Sequence, residues 1–205
     1  MAVWLIRHGE TEWSLSGRHT GTTDIPITPE GELQARAIGH LLAERRFDHV
    51  RSSPMERARR TAELAGFGDR VQPSDALREV DYGDFEGLTT AEIVQTDPGW
   101  ELFRDGCPSG ESPDQMRARM DRLCTEIRGF EGNVLLFGHG HCFRALAVRY
   151  LGLSIRAGAH LRLDTGSVSI LSVERDGPTI ALWNRRLPPR AVLVGDMALR
   201  LGDIS

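Results

Sequence analysis

The 205-residue chain has little cysteine: Cys107, Cys124 and Cys142, an odd number with no C-x-x-C spacing. That argues against a disulfide framework or a thiolate zinc site, and a reducing cytosol is the natural compartment. A surplus of positive charge is also missing. With a net charge of -4, no general affinity for a nucleic-acid backbone is expected. An anion must then be held by a local cluster. The basic residues are arginines, whose guanidinium binds phosphate in a bidentate fork. Long apolar runs are absent too. Val3-Trp4-Leu5-Ile6 stops at Arg7, too short for a signal peptide or a membrane span. There is no internal repeat and no low-complexity segment.

What is present is ordinary globular composition, 40% hydrophobic and 26% charged. The length suits one α/β domain, taken as residues 1–205. The apolar runs 2–6 and Val134–Phe137 predict strands, the second buried on both faces because it does not alternate. His49–Ser52 predicts a shorter one. Thr28-Pro29 predicts a helix start, with Leu33, Ala37, Leu41 and Leu42 as its apolar face. A second helix is expected over 54–65, and a short one after the capping-box pattern Thr89-Thr90-Ala91-Glu92. Ser112-Pro113 opens another, with Met116, Met120, Leu123 and Ile127 as its stripe, and a last runs to Leu151. Residues 13–27, 77–88 and 106–110 read as loops. Val168–Val173 and Thr179–Trp183 predict a hairpin with Asp176-Gly177 in its turn. Alternating strands and helices imply a three-layer α/β/α fold with a mostly parallel central sheet.

In such sheets ligands lie at the carboxyl ends of central strands. Two predicted strands end in a histidine beside glycine: Val3–Ile6 enters Arg7-His8-Gly9, and Val134–Phe137 enters Gly138-His139-Gly140. If these strands are neighbours, both imidazoles meet at one edge. Phosphoryl transfer needs a nucleophile, cations around the equatorial oxygens and an acid for the leaving alcohol. Imidazole is nucleophilic only when a ring nitrogen is unprotonated, and a neighbouring arginine lowers its pKa. Arg7-His8 supplies that pairing. Gly9 permits close backbone approach, and its N–H or its neighbour's is expected to orient the ring.

Arg7-His8-Gly9-Glu10-Thr11 resembles the R-H-G-E-T signature of the histidine phosphatase superfamily, the phosphoglycerate mutase-like fold. Further segments match in order. Ser52-Ser53-Pro54-Met55-Glu56-Arg57-Ala58 is similar to S-S-P-x-x-R-A. Leu77-Arg78-Glu79, with Gly83 and Glu86-Gly87, is similar to L-x-E-x-x-x-G-x-x-E-G. Pro108-Ser109-Gly110-Glu111-Ser112 is similar to P-x-G-E-S, and Gly138-His139-Gly140 to the second-histidine motif. The resemblance spans about residues 3–172. It implies that His8 attacks phosphorus to form a phosphohistidine. Arg7, Arg57 and His139 would clamp the phosphoryl oxygens, and Glu79 would protonate the leaving oxygen and then activate water. Ser14, in place of a common Asn, and Thr20 lie where the family adds phosphate-binding side chains. Gly21, Gly140 and Tyr82 complete the expected substrate-binding set, and Glu10 is expected to buttress the arginines. The implied mechanism needs no metal or cofactor. His139-x-His141 is a conceivable zinc pair, but no Asp or Cys stands at an accompanying spacing.

Asp81, Asp84 and Glu86 compete with Glu79 as the acid, and motif position favours Glu79. Arg59 and Arg60 read as a solvated face. His19, in a polar loop near the expected mouth, and His141, at a helix start, are read as structural or exposed in preference to substrate contacts, and Trp13, Trp100 and Phe103 as either cavity wall or core. A phosphoglycerate mutase would carry E-R-H-Y-G at the acid. Here Glu79-Val80-Asp81-Tyr82-Gly83 keeps only the tyrosine, and Arg104 is the only basic residue between Gly87 and Gly110. Phosphatase is therefore preferred to mutase. A catalytically silent phosphate-binding module is a third reading, opposed by the retention of Arg7, His8, Arg57, Glu79 and His139. Segments 17–26 and 139–144 look most like broad acid phosphatases and sugar-bisphosphatase-like members. The expected partner is a small phosphorylated metabolite, with no nucleic acid or membrane; a homodimer is left open. The expected location is cytoplasmic.

Overall fold

A computed structural model describes residues 1–188. In chain order the elements are β1 (Val3–Arg7), α1 (Glu12–Leu15), α2 (Pro29–Leu42), β2 (His49–Ser52), α3 (Glu56–Leu64), β3 (Gln72–Pro73), α4 (Thr90–Thr96), α5 (Leu102–Asp105), α6 (Pro113–Arg128), β4 (Val134–Gly138), α7 (Gly140–Tyr150), β5 (Ser167–Glu174) and β6 (Gly177–Arg186). They build a six-stranded sheet in the order β3-β2-β4-β1-β5-β6. The first four are parallel, and the β5–β6 hairpin is antiparallel to β1 and to itself. The mostly parallel three-layer α/β/α architecture is as expected. The segment after Pro188, which the sequence did not place, lies outside the described residues.

The two central strands are apolar throughout because both faces are covered. Val3, Leu5, Val134 and Leu136 pack against α6 and α7, where Met116, Met120, Leu123, Ile127 and Phe143 are buried. Trp4, Ile6, Leu135 and Phe137 face the opposite way, onto Ile38 and Leu42 of α2 and Ala62 of α3. The predicted stripe of α6 is therefore real. That of α2 needs one correction: Leu33 is 39% exposed, and Gly31, Gln34, Ala35, Ala37, Ile38 and Leu42 form the buried side. The 3.6-residue period places Leu33 off the face that Gly31 and Ala35 centre.

Helix starts follow their caps. The Thr28, Thr89 and Ser112 hydroxyls each accept a backbone N–H in the first turn of α2, α4 and α6, and Pro29 and Pro113 occupy positions that need no donor. The expected loop over 13–27 begins with a helical turn, α1, held by a reciprocal Thr11–Ser14 capping box. None of the helices among the described residues is long and apolar enough to cross a membrane.

Candidate active site

The register of β1 on β4 builds the site. Arg7 pairs with Gly138, so the next residue of each strand, His8 and His139, emerges at the same sheet edge. Their ring centroids lie 5.2 Å apart. The His8 amide donates to the Gly138 carbonyl at 2.9 Å, continuing the ladder by one rung.

His8 Nδ1 lies 2.8 Å from the Gly9 carbonyl oxygen. A carbonyl only accepts, so Nδ1 carries the proton and Nε2 carries the lone pair. Nε2 has no hydrogen-bond partner among the described residues. Burial first, then Arg57 and Arg7, holds the His8 pKa well below the ordinary imidazole range, which favours the neutral ring. The expectation that an N–H orients this ring is corrected: the Gly9 N–H donates to Thr61 Oγ1 at 3.0 Å, and the Gly9 carbonyl does the orienting. Gly9 has to be glycine because a Cβ there would stand 2.4 Å from the Gly31 carbonyl oxygen of α2.

Arg57 is wholly buried. Its Nη atoms donate to the carbonyls of Thr20, Gly21 and Thr23, each at 3.0 Å, and its Nε donates to His139 Nδ1 at 3.2 Å. Accepting there leaves the His139 proton on Nε2, which donates to Ser53 Oγ at 2.7 Å. Burial, then Arg57, keeps His139 neutral. The S-S-P-x-x-R-A segment thus supplies both the cation and the hydroxyl that fix the second histidine. Arg7 donates through Nη1 to the Leu163 carbonyl, while its Nε is a buried N–H with no acceptor among the described residues. An unmade hydrogen bond of this kind costs roughly 1–3 kcal/mol, which an anionic oxygen would recover. Gly140 lets this guanidinium lie against the start of α7, since a Cβ there would be 3.2 Å from Arg7 Cζ.

Glu79 reaches the N-terminus of α7, whose own N-cap, His139, makes no side-chain cap. Its carboxylate accepts from the backbone N–H of His141 at 3.0 Å, Cys142 at 2.7 Å and Val80 at 3.0 Å. The chain carrying Glu79 is pinned by a device that the sequence did not reveal. Arg119 of α6 forms a paired contact with Glu111, at 2.8 and 2.7 Å, and donates to the carbonyls of Ala76 and Arg78 at 2.9 and 2.8 Å. Glu111 is the acid of the P-x-G-E-S segment. Its distance in sequence from Arg119 and from residues 76–78 left no local signal.

A cavity of about 210 Å³ opens here, lined by Arg7, His8, Thr11, Ser14, Gly17, Arg18, His19, Thr20, Glu79, Tyr82, Thr90, Gly140, His141, Arg144 and Leu163. Arg57 and His139 are not on its wall. Among the rival acids, Asp81 holds the Gly83 N–H, Asp84 meets the Ser109 hydroxyl, and Glu86 holds the Gly21 and Thr23 N–H groups; none lines the cavity. Gly21 does not line it either: its carbonyl holds Arg57. Ser14 and Thr20 are on the wall, though their hydroxyls donate to Thr11 and Arg18 carbonyls. Glu10 does not meet the arginines; its carboxylate accepts from Thr28 Oγ1 at 2.8 Å at the start of α2. His19 and His141, expected to be structural or exposed, line the cavity as two nearly parallel rings with centroids 6.0 Å apart. Tyr82 OH and His141 Nδ1 share a 2.6 Å hydrogen bond. Trp100 and Phe103 belong to the core.

Comparison with known proteins identifies the family. The model of the histidine phosphatase superfamily (branch 1) matches residues 3–186. An acid phosphatase of Mycobacterium tuberculosis is 37% identical over 196 residues, 93% of this chain and 96% of that protein. Sedoheptulose 1,7-bisphosphatase of Saccharomyces cerevisiae is 34% identical over 184 residues, 74% of this chain and 68% of that protein. The solved structure of a Mycobacterium tuberculosis open reading frame superposes with a TM-score of 0.84 at 36% identity, covering 90% of this chain and 97% of that one. The chain belongs to the histidine phosphatase superfamily, branch 1, and is a phosphatase.

Proposed function

We propose that the protein hydrolyses small phosphorylated metabolites, sugar phosphates foremost, through a phosphohistidine on His8. One observation carries this reading: the Gly9 carbonyl fixes the His8 proton on Nδ1, so the Nε2 lone pair is free at a cavity beside Arg7. In the first step Nε2 bonds to phosphorus while the P–O ester bond breaks, and the Glu79 carboxyl gives its proton to the departing oxygen. In the second step Glu79 takes a proton from water, the water oxygen bonds to phosphorus, and the P–N bond breaks to release inorganic phosphate and the imidazole. The unpaired Nε of Arg7 offers a donor to the phosphoryl oxygens. Arg57 adds a buried positive charge close to His8, and His139, its ring 5.2 Å from that of His8, is held in place by Arg57 and Ser53.

The wall suits a hydroxylated leaving group. Of its fifteen residues only Leu163 has a wholly apolar side chain apart from the two glycines, while Arg18, His19, Thr20, Thr90 and His141 are polar. The mutase reading loses support because Arg104, the one cation of the stretch before Gly110, is paired to Asp105 and lies on a separate surface cleft. Cytoplasmic location belongs to the same proposal, as does a single domain over 1–205. The deciding assay is phosphate release across a set of phosphorylated metabolites. Turnover of sugar phosphates with release of inorganic phosphate supports the reading. Conversion of 3-phosphoglycerate to 2-phosphoglycerate without phosphate release would replace it with the mutase.

A further inference from the structure

β6 lies at the edge of the sheet, separated from β1 by β5. Its ladder with β5 pairs Val168 with Arg185 and Ile170 with Leu182, so Ser169 faces both Trp183 and Asn184 across a bulge. Asn184 takes the left-handed conformation there, with φ +57°, which asparagine adopts more readily than most side chains. Its N–H donates to the buried Ser169 Oγ at 3.0 Å. Its side chain turns to the segment that precedes β5. The Asp164 N–H donates to Asn184 Oδ1 at 2.7 Å, and Asn184 Nδ2 donates to Asp164 Oδ2 at 3.1 Å. Trp183 Nε1 donates to the Arg162 carbonyl at 2.6 Å.

The segment so held reaches the catalytic end of β1. Its Leu163 carbonyl accepts Arg7 Nη1 at 2.5 Å, the one hydrogen bond of that side chain among the described residues. Its Gly166 N–H donates to the His8 carbonyl at 3.0 Å. Arg7 Nε has no acceptor among the described residues. The guanidinium is therefore aimed by the Leu163 carbonyl at one end and by the start of α7 on its face, where Gly140 leaves room. A bulge needs only a residue that tolerates positive φ, and glycine meets that need at least cost. The asparagine side chain, with two hydrogen bonds to Asp164, does more than the turn requires.

We infer that Asn184 is a positioning residue for Arg7: it fixes residues 162–166 through Asp164, and that segment aims the guanidinium at the phosphoryl group beside His8. Asn184 is not on the cavity wall and acts only through that segment. The role rests on the reading above in which Arg7 receives the phosphoryl oxygens. A hydrogen bond weakens steeply when its donor turns off line. A displacement of about 1 Å in a group that holds the reacting centre costs about a hundredfold in rate. An edge strand that does not pair with β1 thereby sets the geometry at the end of β1.

Asn184→Gly tests the role, because glycine keeps the positive φ and removes only the side chain. Its kcat/KM for p-nitrophenyl phosphate should fall about ten- to hundredfold, and the inhibition constant of orthovanadate should rise with it. The ratio of alkyl to aryl phosphate turnover should stay at the wild-type value, unlike that of Glu79→Gln. In the background of Arg7→Ala, Asn184→Gly should bring no further loss of aryl phosphate turnover, since no guanidinium is left to aim. If Asn184→Gly does not fold, Asn184→Asp carries the test. It sets two carboxylates against each other, and adding Asp164→Asn restores a donor–acceptor pair with the roles exchanged. Activity lost in Asn184→Asp should return in that double variant. An Asn184→Gly enzyme within about twofold of wild type, the same loss with and without Arg7, or no recovery in the exchanged pair overturns the positioning role. Wild-type turnover and vanadate inhibition in Arg7→Ala, or no phosphate release from the aryl ester by the wild-type protein, sinks the phosphatase reading of the site instead.

Discussion

The carboxylate of Glu79 accepts the backbone N–H of Cys142 at 2.7 Å, tying the loop that follows β3 to the first turn of α7. That helix starts one residue after His139, so the acid is indexed to the histidine pair by backbone geometry. Glu79→Gln keeps the shape and removes the proton. It should lower kcat by about 10² to 10⁴ for an alkyl phosphate, and far less for an aryl phosphate, whose leaving group needs little protonation. Equal losses on both substrates would move the acid elsewhere, first to Asp81.

The Arg119–Glu111 pair should matter to the same step. Both side chains are mostly buried, and removing one partner of a buried pair costs about 3–5 kcal/mol. Arg119→Met should therefore lower the melting temperature. Because Arg119 also holds the carbonyls on either side of Leu77, it should reduce turnover of alkyl more than aryl phosphates, as Glu79→Gln does. A melting shift with no change in leaving-group dependence would limit the pair to stability.

Gly9→Ala tests the close approach of the β1 turn to α2. Its methyl would overlap the Gly31 carbonyl oxygen, with the atoms 2.4 Å apart, and backbone lies on both sides. Forcing such a contact costs about 1–3 kcal/mol or displaces the carbonyl that orients His8. Reduced stability together with a deep loss of kcat is expected. Wild-type activity in Gly9→Ala would show that the orientation of the ring is set by something else.

The buried histidines set a stability slope with pH. Burial holds His8, His139 and His141 well below the unperturbed value of about 6.5. The unfolded chain therefore binds protons that the folded chain refuses. Their contribution is intact above pH ~6.5 and is lost as pH falls below it, by up to about 1.4 kcal/mol per pH unit for each ring. Urea unfolding between pH ~7.5 and ~5 should show falling stability, with a shallower slope in His141→Asn. A flat profile through that window would contradict the buried neutral rings.

Much of this site was legible before the structure because its determinants are local. Val3–Ile6 and Val134–Phe137 are apolar without alternation, so they had to be covered on both faces, and each runs directly into its histidine. The caps at Thr28, Thr89 and Ser112 are also local patterns. What escaped depends on tertiary approach. Leu33 fits an apolar period, but the backbone contact between Gly31 and Gly9 turns α2 so that Leu33 faces out. The Glu10 carboxylate was claimed by Thr28, a neighbour only after α2 folds back. Arg119, Glu111 and residues 76–78 meet across three separate segments. His19 and His141 come together only when the loop before α2 docks on α7.

The claim on which the rest depends is that His8 Nε2 takes the phosphoryl group. Rapid acid-free quenching of the enzyme with a labelled phosphomonoester, followed by peptide mass mapping, measures it directly. A phosphoryl group on His8 that survives base and is lost in acid, absent from His8→Ala, is the expected result. Full turnover by His8→Ala, or a covalent label on any other residue, would contradict the account.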